Sequence, residues 1–255
     1  MGRITKFIIL DILKNRTVLL YTVLLGILGW SAFALEDNSS KGMLTLLNII
    51  LLTVPLVAVI FSTIYIYNSA EFVELLLSQP VRRRTIWKSL FMGLSVSLGL
   101  AFLAGPGIPV LVYSPTSAGI MMVSVGILIS VVFVAIAFFS SILTRDKAKG
   151  IGLSILAWLF FSLLFDGLLL FLVFQFSDYP IEKPMVVMAA LNPVDLARIM
   201  ILLHLDMSAM LGYTGAIFRD FFGTVTGVTV AFTVLLLWIF LPFWSSMRMF
   251  RKKDL

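Results

Sequence analysis

The chain has 255 residues, of which 60% are hydrophobic and only 13% are charged, and its formal net charge at pH 7 is +6. Soluble domains carry about a quarter charged residues, so this composition excludes an ordinary water-soluble domain. The sequence contains no cysteine, which excludes disulfides and thiolate metal sites.

The N-terminal residues 1–16 predict a helix that lies in the membrane interface. On a helical wheel Ile8, Ile9, Ile12 and Leu13 share one face, and most of the charged residues lie opposite. Such an amphipathic helix is typical of segments that rest on a bilayer surface. The alternative is that this segment continues the first membrane span into the cytoplasm.

Six long apolar runs follow, and each predicts a transmembrane helix. A helix needs about 20 residues to cross the roughly 30 Å of hydrocarbon, and the bilayer offers the backbone no water, so such a run is stable there only as a helix. The fold class is therefore all-α and polytopic. The predicted spans are residues 17–35, 43–67, 88–113, 119–143, 151–174 and 224–247.

The basic residues predict the orientation of these spans. All but four of the 19 Lys and Arg residues fall at the N-terminus, the C-terminus or in the loops on that same side. Positive loops stay cytoplasmic, so both termini are expected in the cytoplasm of a bacterial inner membrane protein. Topology thus accounts for the positive charge, and no nucleic-acid partner is expected. The four exceptions are Lys41, Lys183, Arg198 and Arg219.

The inner loop between the second and third spans predicts a short helix that protrudes into the cytoplasm. Glu71 and Glu74 suit its N-terminal end, and Pro80 ends it because the residue before proline is pushed away from the helical region. The spacing of Phe72, Leu75 and Leu76 predicts one apolar face that enters a groove on a cytoplasmic partner. The alternative is a loop that rests on the membrane. The residues predicted to couple to the partner are Glu71, Phe72, Glu74, Leu75, Leu76, Gln79, Pro80 and Arg82.

Two features interrupt the apolar runs. The prolines within residues 105–109 remove backbone donors and predict a kink or unwinding in the third span. Asp166 lies in the middle of the fifth span, where a carboxylate is costly and normally faces protein or a watery cavity. We expect it to line a translocation path or a dimer seam. The alternative is a packing role, with a hydrogen bond to Ser162 one turn earlier.

The segment 175–223 predicts a helical substructure on the outer side. Asn192 is a good N-cap, Pro193 suits the first helical position and Asp195 favours the positive end of the helix. Together with Arg198, these residues are predicted to dock a periplasmic partner. The alternative is a Cu(I) site, because imidazole and thioethers suit that ion, and its ligands would be His204, Met207 and Met210.

Several strings in the sequence resemble ABC-2-type transporter permeases. ELLLSQPVRRRTIWKSLF at 74–91 is similar to the helix and turn after the second span of that family. AWLFFSLLFDGLLLFLVF at 157–174 and ALNPVDLARIMIL at 190–202 resemble its NosY-like branch, which serves the maturation of copper-containing nitrous oxide reductase.

The resemblance implies a six-helix permease that forms a homodimer, couples to a separate ABC ATPase and meets a periplasmic maturation protein. ATP and Mg would bind on the ATPase, in agreement with the absence of a GxxxxGK[ST] motif from this sequence. The chain itself is expected to be non-catalytic and to bind no cofactor. The alternatives are a general exporter of drugs or lipids and a membrane anchor that transports nothing.

Overall fold

The computed structural model describes residues 2–36, 38–176, 182–205, 207 and 215–252, and none of these residues lies in a strand. α5 (Arg83–Phe102) runs through a π-helical turn, Leu103–Gly107, into α6 (Ile108–Tyr113), and α8 (Lys147–Leu159) runs through a second one, Phe160–Leu164, into α9 (Phe165–Gln175). The helices in chain order are α1 (Gly2–Leu13), α2 (Arg16–Ala34), α3 (Ser39–Asn68), α4 (Ala70–Leu77), α5 (Arg83–Phe102), α6 (Ile108–Tyr113), α7 (Ser117–Leu143), α8 (Lys147–Leu159), α9 (Phe165–Gln175), α10 (Glu182–Leu191), α11 (Pro193–His204), α12 (Gly215–Phe222) and α13 (Val225–Lys252).

The predicted all-α architecture with six spans is confirmed. Within the described ranges, six helical segments are long and apolar enough to cross a membrane. At their basic ends the third, fifth and sixth helices extend four or five residues beyond the predicted apolar runs, to Arg83, Lys147 and Lys252. The spans are Arg16–Ala34, Ser39–Asn68, Arg83–Tyr113, Ser117–Leu143, Lys147–Leu172 and Val225–Lys252.

The fourth span, α7, is the centre of the bundle. It packs against α3, α5, α8, α11 and α13. Phe133 and Phe138 are fully buried in the half that ends at Leu143, and Phe138 meets Trp87 and Phe91 of α5 edge-on. The fifth and sixth spans bury few residues in comparison, so their apolar outer faces remain for lipid or for another protein chain.

The first and third spans approach closely at the π-turn of the third. A Cβ atom on Gly105 would lie 2.9 Å from the Thr22 carbonyl oxygen, and one on Gly29 would lie 3.1 Å from Cγ of Pro109. Small residues permit such contact between helix backbones in membranes. The two prolines therefore widen the third span into a π-turn, and the first span packs closely against this turn.

The N-terminal segment forms the helix α1, which packs along α5. Ile8 and Ile12 are buried there, and Gly93 leaves the space that Ile8 fills. The Tyr65 hydroxyl donates to the Asp11 carboxylate at 3.0 Å, which ties α1 to the second span. The location of α1 in the membrane interface stays a prediction.

Candidate functional site

The predicted inner-loop helix is present as α4, but its apolar residues do not share one free face. Val73 and Leu76 pack into the bundle, with Leu76 only 7% exposed, whereas Leu75 is 59% exposed. Phe72 is half-buried and its ring lies 5.9 Å from that of Phe7 in α1. The prediction that Phe72, Leu75 and Leu76 enter a partner together is therefore wrong for Leu76. Two apolar faces overlap on this helix, and the face that contains Val73 and Leu76 packs against the bundle.

The outward surface of α4 and its following turn is mainly polar. Around Leu75 it presents two carboxylates and then the residues of the turn. The Ser78 hydroxyl donates to the Leu75 carbonyl at 2.8 Å and closes the helix end. Apart from Ala70 and Leu75, the exposed residues of this surface are Glu71, Glu74, Ser78, Gln79, Pro80 and Arg82, and the exposed Arg84 follows in α5.

A cavity of about 300 Å³ lies between α4 and the bundle. Trp87 and Phe250 contribute to its lining and stack with ring centroids 4.2 Å apart. Trp87 also donates from Nε1 to Ser246 Oγ at 2.8 Å. The Tyr67 hydroxyl bonds Thr144 Oγ1 at 2.7 Å and so connects the second span to the loop before the fifth. A displacement of α4 would therefore change the volume between four spans.

The fifth span contains the second cluster of interest, at its π-turn. The Phe165 N–H bonds to the Phe160 carbonyl, which leaves the Phe161 carbonyl without the donor it would have in an α-helix. Asn192 donates from Nδ2 to that carbonyl at 2.8 Å. Within the described ranges, Ser162 Oγ is buried and has no hydrogen-bond partner, so the hydrogen bond between Ser162 and Asp166 that belonged to the alternative packing role does not form.

Asn192 itself is completely buried and uses its whole amide group. Its Oδ1 accepts from the Val194 N–H at 3.0 Å and caps α11, as the sequence predicts. Its Nδ2 also donates to Asp195 Oδ2 at 2.8 Å. A buried polar side chain is stable only when its donors and acceptors are satisfied, and this one meets the condition.

Asp166 is paired with a residue of the outer segment. Arg198 donates from Nη1 to Asp166 Oδ2 at 2.9 Å and to Asp195 Oδ1 at 3.1 Å, so two carboxyl groups share one guanidinium. The side chains of Arg198 and Asp166 are 31% and 35% exposed, and that of Asp195 is 7% exposed. Charged groups in a span face protein or water, so the open side of this ion pair cannot be left to lipid.

The outer segment returns into the bundle. α10 and α11 meet at a bend of 111°. At the bend Asn192 reaches Phe161, near the middle of the fifth span, and further along α11 Arg198 meets Asp166, which lies further along the fifth span. α11 therefore runs beside the fifth span toward its Gln175 end, and α10 and α11 form a bent helical hairpin against the bundle.

This arrangement corrects the predicted docking surface. Asn192, Pro193 and Asp195 are buried within the chain, as are Ile199 and Met200. Their side chains hold the hairpin to the bundle, so a periplasmic partner cannot reach them. The sequence contained a usable signal, because Asp166 needed a cationic partner and Arg198 was one of only four basic residues outside the termini and loops predicted to be cytoplasmic.

The residues of the alternative copper site are only partly described. The His204 Nδ1 atom lies 2.9 Å from the Met200 carbonyl oxygen, and the Met207 N–H donates to the Leu202 carbonyl at 3.0 Å. Met210 falls outside the described residues. Across the described part of the chain, no three His, Asp or Glu side chains converge on a position that could hold a metal ion.

The chain belongs to the ABC-2 family of transporter proteins, whose family model matches residues 12–255. The family consists of transporter membrane subunits, and membership implies a membrane location and a cytoplasmic ATPase partner. The chain is also similar to the probable ABC transporter permease protein NosY of Pseudomonas aeruginosa. The two are 27% identical over 220 residues, an alignment that covers 78% of this chain and 80% of the relative. The resemblance to NosY-like permeases is thereby confirmed.

Proposed function

We propose that this permease works as a homodimer and converts ATP turnover on its ATPase into transport or transmitted motion for periplasmic copper-site maturation of nitrous oxide reductase. The similarity to a NosY permease over most of both chains is the observation that carries this proposal. ATP and Mg bind on the ATPase subunit, and this chain supplies the moving membrane part.

The outward surface of α4 is the proposed coupling element. It offers one large apolar side chain, Leu75, close to Glu71 and Glu74, and all three are exposed. The matching groove on the ATPase then has one apolar pocket flanked by Lys or Arg side chains, because charge-assisted bonds to carboxylates are the strong ones at such a contact. The cavity behind α4 gives the helix space to move when the ATPase closes.

The open side of the Asp166–Arg198 pair is the proposed functional face of the fifth span. A partly exposed ion pair at this depth requires either a second copy of the chain or a water-lined path against it. In a homodimer that brings two fifth spans together, the second copy of the chain and a water-lined path can both lie against the ion pair. Asp166 then lines the path or the seam, and Arg198 holds its carboxylate in position.

The outer side of the hairpin is the proposed contact for a periplasmic maturation protein. Because Asn192 and Asp195 are buried, we assign this contact to side chains that are exposed. They are Val187 on α10 and Arg219 and Asp220 on α12. The orientation that puts them outside follows from the asymmetric distribution of basic residues, with both termini in the cytoplasm of a bacterial inner membrane. Reporter fusions after Thr116 and after Arg145 test it, and the reverse pattern would contradict the proposal.

Complementation of a deletion strain tests the function. Deletion should yield nitrous oxide reductase that lacks its copper centre, and the wild-type gene should restore it. Asp166→Leu and Asp166→Asn should both fail to restore it, although the dimer and the ATPase still co-purify. A reductase with a normal copper content in the deletion strain would indicate a general drug or lipid exporter. Full restoration by Asp166→Leu would contradict the path role, and an anchor that transports nothing predicts that result.

A further inference from the structure

Asn192 connects the bend of the hairpin to the one carbonyl that the π-turn of the fifth span sets free. We propose that Asn192 is a positioning residue: its amide stabilises the π-turn at Phe160–Leu164 and thereby determines which way Asp166 points. This goes beyond the proposed function, because it concerns the register of the fifth span and not what is transported.

The Phe161 carbonyl lies within the fifth span and needs a hydrogen-bond donor there. In a membrane, water does not satisfy a backbone carbonyl that has lost its helical donor, and an unsatisfied group there is costly. The fifth span has no proline in this region that would force a π-turn. The Nδ2 donation from Asn192 to the Phe161 oxygen is therefore what compensates the turn, and its loss favours a return to regular α-helix.

The π-turn also sets the register of the residues that follow it. A π-turn accommodates one residue more than an α-helical turn, and an α-helix has about 3.6 residues per turn. If the turn becomes α-helical, the part of the span beyond it rotates by about 100°. Asp166 lies just beyond the turn and would swing away from Arg198. The bond from Asn192 to Phe161 and the ion pair from Arg198 to Asp166 are thus two contacts that hold only in the same register.

Few side chains can replace the Asn192 amide. Asn192 accepts one bond as the cap of α11 and donates two, to Phe161 and to Asp195. Serine retains the cap but cannot donate both bonds, so Asn192→Ser separates the two roles. Asn15 caps α2 through the Thr17 N–H and is a matched cap elsewhere in the chain, which makes Asn15→Ser the control.

The register of α9 can be read by spin-label scanning, since the chain contains no natural cysteine. Single cysteines at positions 167–172 of the full-length permease in nanodiscs, without nucleotide, report oxygen accessibility. In the wild type and in Asn15→Ser we expect protection at Leu169 and Leu172, which are half-buried, and accessibility at Leu168 and Phe171. In Asn192→Ser the pattern should move by one residue, with protection at Leu168 and Phe171.

A compensating deletion provides the decisive test. If Asn192→Ser removes the π-turn, deletion of the exposed Leu163 takes out the surplus residue and should return the wild-type pattern of protection. An unshifted pattern in Asn192→Ser would overturn the proposal, as would a shifted pattern that the deletion fails to restore. If neither variant folds, the side chain is merely structural and the proposal is equally wrong. No ATPase is present in this experiment, so its outcome is independent of the proposed transport function.

Discussion

Arg198 reaches across from α11 to Asp166 in the fifth span, with 2.9 Å between Nη1 and Oδ2. This contact joins the outer segment to the membrane bundle, and it gives the intramembrane carboxylate a partner that belongs to the same chain. Because Asp195 accepts from the same guanidinium at 3.1 Å, the hairpin keeps a bound cationic group even when Asp166 is changed.

A double-mutant cycle should show that Asp166 and Arg198 stabilise the fold together. We expect Asp166→Asn and Arg198→Gln each to lower the thermal transition of the purified permease, with Arg198→Gln the more damaging because it also strips Asp195 of its cation. The coupling energy should be at least about 0.5 kcal/mol, as for other residues in direct contact. Additive effects of the two changes would show that the ion pair contributes nothing.

Substitution by aspartate should have different effects at Leu75 and at Leu76. Leu76→Asp buries a charge in the bundle and should destabilise the fold by about 3 kcal/mol or more. Leu75→Asp changes only an exposed position, so the permease should retain its thermal stability but lose ATPase binding. Co-purification and ATP turnover distinguish the two. Normal coupling in a stable Leu75→Asp variant would remove α4 as the coupling element.

Gly105→Ala should weaken the contact between the first and third spans. Its Cβ would lie 2.9 Å from the Thr22 carbonyl oxygen, and overpacking of this kind costs about 1–3 kcal/mol. Gly152→Ala in α8 is the control, because in the described part of the chain nothing lies within 4 Å of the added atom. Thermal unfolding should show a lower transition temperature for Gly105→Ala and an unchanged one for Gly152→Ala.

The triple change His204→Gln, Met207→Leu and Met210→Leu should leave function intact. Methionine is an adaptable packing residue that leucine replaces at little cost. Reductase copper content in the complemented strain is the measurement. If that copper content falls although the periplasmic partner still co-purifies, the copper site becomes the better explanation of these residues.

The sequence was sufficient for the spans and insufficient for the hairpin. The apolar runs predict the six helices because a segment of this kind in a bilayer satisfies its backbone hydrogen bonds as a helix. The apolar face of α11 had several equally good destinations, namely the bilayer surface, a partner or the bundle, and only the long-range contact between Asn192 and Phe161 selects among them. The π-turn of the fifth span had no proline or glycine to indicate it. For α4, two overlapping apolar stripes left the buried face undetermined.

The contact between Phe7 and Phe72 links the N-terminal helix to α4. α4 follows the second span directly through Ser69 and leads through its turn into α5 of the third span, and α1, against which Phe72 rests, packs along that same span through Ile8. If α4 meets the ATPase as proposed, a push on it reaches the third span both through the turn and through α1. The first helix then braces α4 against the bundle, and loss of the Phe7 side chain would leave only the two chain connections to transmit the motion.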